Sequence, residues 1–544
     1  MAISPVPTAP RSLRLALCLM VMVTALKAAS AAPEPADVVI RGGTLHDGSA
    51  GAPYVGDVAI KGDRIVYVGS GAPMTAARTI DASGMIVTPG FIDPHTHADG
   101  FLRAPDAATR VNAAWLYQGV TSVMIGVDGS GTPDVGDDAR KLTASGVGTN
   151  IVPFVGFGAV RQRVLGQAAR APDAADLARM QRLVAKAMCE GATGLSTGLF
   201  YAPQSFARPE EVIAVAREAA KRGGMYDTHQ RDESSYSIGL LGSVREVLTI
   251  GREAGMPVHF AHIKALGVDL QGQAQAVINL IEAARAAGQA VTADQYPWLA
   301  SGTSIDAALL PRWAVDGGDA ALLQRLDDPA MLARIRADMA ENMRRRGGAA
   351  SLLLISEGFE WTGKTLENLA QVWKVDPRDA ALRILRDSIA GRAAGRQGRG
   401  TGVASFNMAQ ADVDLLMQQP WVVTSSDGSD GHPRMFASFP EKYRRYVKER
   451  PVITRTDFIH RSTGRTADIY KLAGRGYLRT GYYADVAVID PEKFMPRADY
   501  LKPRELSDGV THLFVNGTAA LADGKATGTL PGRVLLRPTP AECP

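Results

Sequence analysis

The sequence predicts an α/β fold: a (β/α)8 TIM barrel carrying a small β-domain assembled from both ends of the chain. Three observations predict it. Apolar runs that end in polar residues alternate eight times with Ala/Leu/Arg-rich helical stretches between residues 85 and 427, the rhythm of a parallel barrel. β-rich segments flank that middle at 36–89 and 481–517. The chain has 544 residues, 46% hydrophobic and 21% charged, which is ordinary globular composition with length enough for a large barrel and a satellite domain.

Residues 1–31 read as a secretory signal. Arg11 and Arg14 precede an apolar run, residues 15–26, followed by the small-x-small site Ala29-Ser30-Ala31. The run is short for a bilayer span. The mature chain is therefore expected to start near Ala32, exported to a bacterial periplasm or beyond, with no membrane contact after cleavage. Cys18 leaves with the signal. Cys189 and Cys543, one mid-chain and one at the extreme end, do not make a disulfide framework and are expected to be free.

The β-domain divides into 36–90 and 476–535. Its first part contains Lys61-Gly62-Asp63-Arg64 between two β-rich runs, a hairpin signal. The barrel occupies 91–475. Its expected strands are 85–93, ending at His95 and His97; 120–126, ending at Asp128; 151–155; 194–197; 225–228, ending at His229; 258–261, ending at His262; 290–294, ending near Tyr296; and 421–425, ending at Asp427. Helices are expected at 174–190, 210–222 and 273–287; the first has Leu177, Met180, Leu183, Val184 and Ala187 at helical period. Residues 314–348 break the rhythm and read as a helical insertion over one rim. The Gly/Arg-rich 393–400 reads as a mobile loop.

The net charge of +4 is small for this length, and no long Lys/Arg block is present. Nucleic-acid binding is not indicated, charge is no guide to the substrate, and nothing speaks to an oligomeric state.

Every chemically loaded residue falls at the C-terminal end of a strand, where barrels of this kind place their active sites. In His95-Thr96-His97 the imidazoles are two residues apart; on extended backbone both face one side and can reach one cation. Alone, H-x-H is a weak signal. His229 and His262, each ending its own strand, strengthen it, because a metal is the simplest reason to gather four imidazoles. Asp427 lies in Thr424-Ser425-Ser426-Asp427-Gly428. A carboxylate there can take a proton from an attacking water and pass it to a leaving amine; equally, Asp-Gly is ordinary turn chemistry. His46, His259, His460 and His512 are read as structural.

The segment Pro89-Gly90-Phe91-Ile92-Asp93-Pro94-His95-Thr96-His97-Ala98-Asp99 resembles the signature of the amidohydrolase superfamily, metal-bearing TIM barrels with a small β-sandwich made from both termini. Further segments resemble its N-acyl-D-amino-acid deacylase (D-aminoacylase) branch. They are Gly191 to Leu199 with Tyr201-Ala202-Pro203, Thr228-His229-Gln230-Arg231-Asp232-Glu233, His262-Ile263-Lys264, Asp294-Gln295-Tyr296-Pro297-Trp298, and Ser426-Asp427-Gly428 with His432-Pro433-Arg434. The resemblance implies one or two Zn2+ ions, with His95 and His97 at one position and His229 and His262 at the other. It implies Asp427 as general acid/base, and Lys264 and Tyr296 on the substrate α-carboxylate, joined by a hydroxyl from Ser301 or Thr303. Arg434 would contact an acidic side chain or brace its loop. One departure stands out. The branch usually has a Cys ligand after the second strand, in Gly-x-Cys-Gly; this chain has Gly126-Val127-Asp128-Gly129. Asp128 is expected in that place, a harder ligand that can bridge two ions. The fourth strand carries no Lys, which disfavours branches that use a carboxylated Lys.

The expected activity is metal-dependent hydrolysis of an N-acyl-D-amino acid to a carboxylate and a free D-amino acid. A metallo-dipeptidase shares the chemistry but needs an acidic group for the substrate amine, for which Asp232 or Glu233 could serve. A non-catalytic exported metal-binding protein is the third reading.

Overall fold

The computed structural model describes residues 35–396 and 400–543. The signal expected at 1–31, and part of the loop expected at 393–400, lie outside the described residues.

A barrel of eight parallel strands forms the centre. Phe91–Asp93, Val120–Ile125 and Asn150–Pro153 make one parallel run. Val155–Gly156, Gly194–Gly198, Met225–His229, Val258–Phe260, Val291–Gln295 and Val422–Thr424 make the other. The third strand, interrupted at Phe154, belongs to both runs, and a parallel bridge between Thr96 and Gly428 joins the first strand's end to the eighth's.

Strand alternation explains what the barrel contains. Tyr226, Val258, Phe260, Val291 and Ala293 are buried in one apolar core with residues of the helices Ala174–Cys189, Pro209–Lys221 and Leu240–Ala254. Their neighbours Asp227, His259, Thr292 and Asp294 therefore face the barrel interior. The helices begin and end on local chemistry: the Asp173 carboxylate accepts from the Asp176 amide, and Pro209 opens its helix where a missing N–H costs nothing.

The run expected as a single strand at 85–93 is divided. Ile86–Pro89 pairs antiparallel with Val486–Ile489 and parallel with Ala36–Leu45, knitting both chain ends into a nine-stranded sheet. Phe91–Asp93 continues into the barrel. The break falls at Gly90, where a Cβ would sit 2.2 Å from the Thr121 side chain, so only glycine lets the two strands pass. The sheet wraps its own core of Ile40, Val58, Ile60, Ile65, Val486, Val488 and Phe514.

Two further expectations need correction. The insertion over the rim is larger than 314–348 and not purely helical. Around the helices Gly318–Asp327 and Pro329–Arg345, the strands Ala300–Ser304, Leu352–Leu354 and Gly402–Phe406 form a separate three-stranded antiparallel sheet. It has its own core, including Leu309, Ile335, Leu352, Leu354, Trp361, Leu385 and Val403. Its strands are too short and too far apart in sequence to announce themselves. Second, Cys189 and Cys543 are not free but form a disulfide, with Cα atoms 5.6 Å apart. The C-terminal tail returns along the third strand: Ile151 N–H donates to the Arg533 carbonyl at 2.9 Å, Leu535 N–H to Ile151 at 2.7 Å and Arg537 N–H to Gly191 at 3.0 Å. That path delivers Cys543 to the end of the helix Ala174–Cys189. No helix among the described residues is long and apolar enough to cross a membrane.

Candidate active site

The closure of the barrel builds the first half of the site. Where the first and eighth strands end, Asp427 N–H donates to the His95 carbonyl and His97 N–H to the Gly428 carbonyl, both at 2.9 Å. This cross-stitching sets the Asp427 Oδ1 atom 3.2 Å from His97 Nε2 and 3.8 Å from His95 Nε2. The second half comes from the fifth and sixth strands, where His229 Nδ1 and His262 Nε2 lie 2.9 Å apart.

Asp128 stands between the halves. Its Oδ1 is 3.4 Å from His95 Nε2 and 3.7 Å from His262 Nε2. Its Oδ2 is 3.7 Å from His97 Nε2 and 3.9 Å from His229 Nδ1. All four imidazoles thus face one carboxylate. Asp128, His262 and Asp427 have φ of 54°, 35° and 49°, a left-handed conformation sparsely populated by non-glycine residues and concentrated at functional sites. Here it turns the chain sharply off each strand so that the side chain points over the barrel mouth.

This donor set fits a metal. Ligand atoms from His95, His97 and Asp427, from His95, Asp128 and His262, and from His229, Glu233 and His262 lie within 4.8 Å of one another in each group. Both ring nitrogens of His95 and the Asp128 Oδ1 are buried without a hydrogen-bond partner, a costly state that a cation relieves. Burial holds the His229 pKa down to about 3, keeping its ring neutral as a ligand must be. For Asp128 and Asp427 burial works against charge, yet His95 beside Asp128 and Arg434 beside Asp427 keep both well below the ordinary carboxylate range.

Behind these residues is a supporting layer the sequence reading did not assign. Glu233 Oε1 lies 2.6 Å from Lys264 Nζ and 3.2 Å from His262 Nδ1, so it can fix the ring whose other nitrogen faces Asp128. Asp294 accepts the His262 backbone N–H at 2.9 Å and the Ser425 hydroxyl, and its second oxygen meets His259 Nε2 at 3.0 Å. Polar residues at strand ends were the available signal; which ones meet is long-range information. Asp232 is committed to its own loop, accepting from the amides of Ser234, Ser237 and Gly239. Of the two acids expected to serve a dipeptide's amine, Asp232 is thus taken up by its loop, whereas Glu233 lines the cavity with Oε1 on Lys264.

A cavity of about 670 Å³ opens over this centre, lined by His97, Asp128, His229, His262, Lys264, Tyr296, Ser301, Thr303, Asp427 and Arg434, and also by Tyr201, Glu233 and Arg346. All the residues expected to bind substrate line it. The Tyr296 hydroxyl is buried with no hydrogen-bond partner, and burial pushes its pKa well up, so it remains a donor. Lys264 Nζ and the Arg434 guanidinium lie 5.6 and 5.3 Å from the Tyr296 ring centre. Arg434 Nη1 is 2.7 Å from the second oxygen of Asp427, so Arg434 braces that carboxylate while lining the cavity. Ser301 and Thr303 come from the insertion, not the barrel.

Comparison with known proteins agrees with this construction. The sequence pattern described as "Amidohydrolase family" matches residues 78–519. The chain is 32% identical to an N-acyl-D-aspartate deacylase of Alcaligenes xylosoxydans xylosoxydans over 93% of this chain and 96% of that one. It is 30% identical to a D-aminoacylase of the same organism, over 93% and 98%. The fold is similar to that of an N-acyl-D-glutamate deacylase from Bordetella bronchiseptica solved with zinc and a phosphonate mimic of the tetrahedral intermediate. The TM-score is 0.77 and the identity 28%, over 92% of this chain and 100% of that one. The chain belongs to the amidohydrolase family, in its D-aminoacylase branch.

Proposed function

We propose that this protein hydrolyses the amide bond of N-acyl-D-amino acids, releasing a carboxylate and a free D-amino acid. The observation that carries the reading is the convergence of His95, His97, His229 and His262 on Asp128, with Asp427 alongside and Lys264 and Tyr296 lining the same cavity. The relatives that share this chain nearly end to end are deacylases of D-amino-acid derivatives, and a D-aminoacylase of the same fold has a binuclear metal centre.

His95, His97, Asp128, His229 and His262 would hold one or two zinc ions. When bound, zinc supplies a lowered water pKa and polarises the amide carbonyl. Asp427, ionised and braced by Arg434, accepts the proton of the attacking water on Oδ1 and returns it to the departing nitrogen. Lys264 and Tyr296 bind the α-carboxylate as ammonium and phenol donors, with Ser301 or Thr303 beside them. Fixing the carboxylate and the scissile amide at two points leaves the side chain of the α-carbon as the third, and where that side chain is received selects the hand. Export to a periplasm or beyond belongs to the same proposal; the Cys189–Cys543 disulfide, stable in oxidising compartments, supports it.

The test is metal content and turnover of paired N-acetyl-D- and N-acetyl-L-amino acids by the purified protein. Bound zinc with D-selective hydrolysis is the expected result. Bound metal without hydrolysis of either series would overturn the deacylase reading while leaving the metal centre standing.

A further inference from the structure

Three basic side chains line the cavity, and two are already neutralised. Lys264 is paired with Glu233 at 2.6 Å and Arg434 with Asp427 at 2.7 Å. The third, Arg346, is not. Its residue is 3% exposed, and among the described residues it forms no ion pair with an Asp or Glu. Its partners are neutral hydroxyls: Nε donates to Tyr236 at 2.6 Å, and Nη1 lies 3.3 Å from the hydroxyls of both Ser301 and Ser405. These use three of the five N–H donors of a guanidinium. A permanent cation buried without a counter-charge is costly. Its place at the C-terminal end of the helix Pro329–Arg345 offsets that only weakly.

We infer that Arg346 receives a second carboxylate of the substrate, that of an acidic amino-acid side chain, so that the protein prefers N-acyl derivatives of D-aspartate or D-glutamate class. The inference rests on the deacylase reading above and deepens it. Placement decides for the amino-acid half of the substrate. Arg346 bonds Ser301, and Arg434 Nη2 lies 3.5 Å from the carbonyl of the next residue, Gly302. Both arginines therefore hold the same insertion strand, and Arg434 and Lys264 share the Tyr296 ring as a neighbour, at 5.3 and 5.6 Å from its centre. The α-carboxylate would be taken at Lys264 and Tyr296, and the side-chain carboxylate at Arg346, which lines the same cavity. Bidentate guanidinium–carboxylate pairing provides the selectivity. The specificity residue would thus come from the insertion and not from the barrel.

The experiment measures kcat/KM of the zinc-loaded protein on four substrates: N-acetyl-D-aspartate, N-acetyl-D-glutamate, N-acetyl-D-methionine, and N-succinyl-D-alanine, whose second carboxylate sits on the acyl half. Wild type is expected to favour one of the two acidic amino acids over methionine. Arg346→Met is expected to cut that ratio by about 100-fold, within the range lost when one partner of a buried, hydrogen-bonded charge pair is truncated. Because the readout is a ratio within one protein, a general loss of activity or folding does not mimic it. If Arg346→Met does not fold, Arg346→Lys, which keeps the charge but loses the fork, is expected to move the ratio in the same direction. An unchanged ratio in the variant overturns the inference, as does a wild type that prefers methionine. A preference for N-succinyl-D-alanine that Arg346→Met abolishes overturns the assignment to the amino-acid half. Failure to hydrolyse any of the four removes the deacylase reading itself, a distinguishable outcome.

Discussion

The backbone N–H of Asp427 donates to the carbonyl of His95 at 2.9 Å. The proposed proton carrier is therefore held against the proposed metal-binding imidazole by main chain, at the seam where the barrel closes. Asp427→Asn keeps the shape of that seam and removes the base. We expect kcat to fall by about 10²–10⁴-fold, the usual weight of general acid–base catalysis, with zinc content within error of wild type. Loss of zinc in Asp427→Asn would instead make Asp427 a ligand in its own right.

Asp128 lies within 3.9 Å of a ring nitrogen in both histidine pairs. Asp128→Ala should reduce bound zinc per chain, measured by elemental analysis after dialysis. It should also shrink the rise in melting temperature that added zinc produces in wild type. Full zinc retention in the alanine variant would remove Asp128 from the set of residues that hold the metal.

Lys264 and Glu233 form a buried pair at 2.6 Å, each about 5% exposed at the side chain. Removing one partner of such a pair typically costs about 3–5 kcal/mol, because the other charge is stranded. Lys264→Met should be strongly destabilised, and Lys264→Met with Glu233→Gln should recover most of the loss in denaturant titrations. Recovery of KM for N-acetyl-D-amino acids should not follow. A double variant with restored KM would take Lys264 out of carboxylate binding.

The Cys189–Cys543 bond ties the C-terminal tail to the end of the helix Ala174–Cys189. Disulfides typically contribute about 2–4 kcal/mol. Cys189→Ser with Cys543→Ser should unfold at lower denaturant, and its tail should become a site of limited proteolysis at unchanged protease concentration. Equal protease resistance would show that the tail's backbone bonds suffice alone.

Lys442 is fully buried and its ammonium has no hydrogen-bond partner. Burial, with Arg461 nearby, lowers its pKa to about 7. Between that value and the ordinary lysine pKa near 10.4, the unfolded chain binds a proton that the folded chain does not. Stability from this group therefore rises with pH across the window, by about 1.4 kcal/mol per unit. The difference in stability between Lys442→Met and wild type should shrink as pH rises from 7 to 10. A difference independent of pH would mean that the amine is charged in the folded protein.

The sequence by itself determined the repeating α/β rhythm, the polar residues at the strand ends and the H-x-H pair. All are local: period-two alternation sends Val258 and Phe260 to the helices and His259 inward, and two residues on one extended segment face the same way wherever the segment goes. By resemblance it also raised the expectation that Asp128 stands among the metal ligands. Only the tertiary structure decided what depends on distant segments meeting. The tail brought Cys543 to Cys189 across 354 residues, and the fifth and sixth strands brought Glu233 to Lys264. The insertion carried Arg346 to Ser301 and the cavity wall. No periodicity encodes such meetings, because a buried charge reads in the sequence like any surface charge until the fold removes its water.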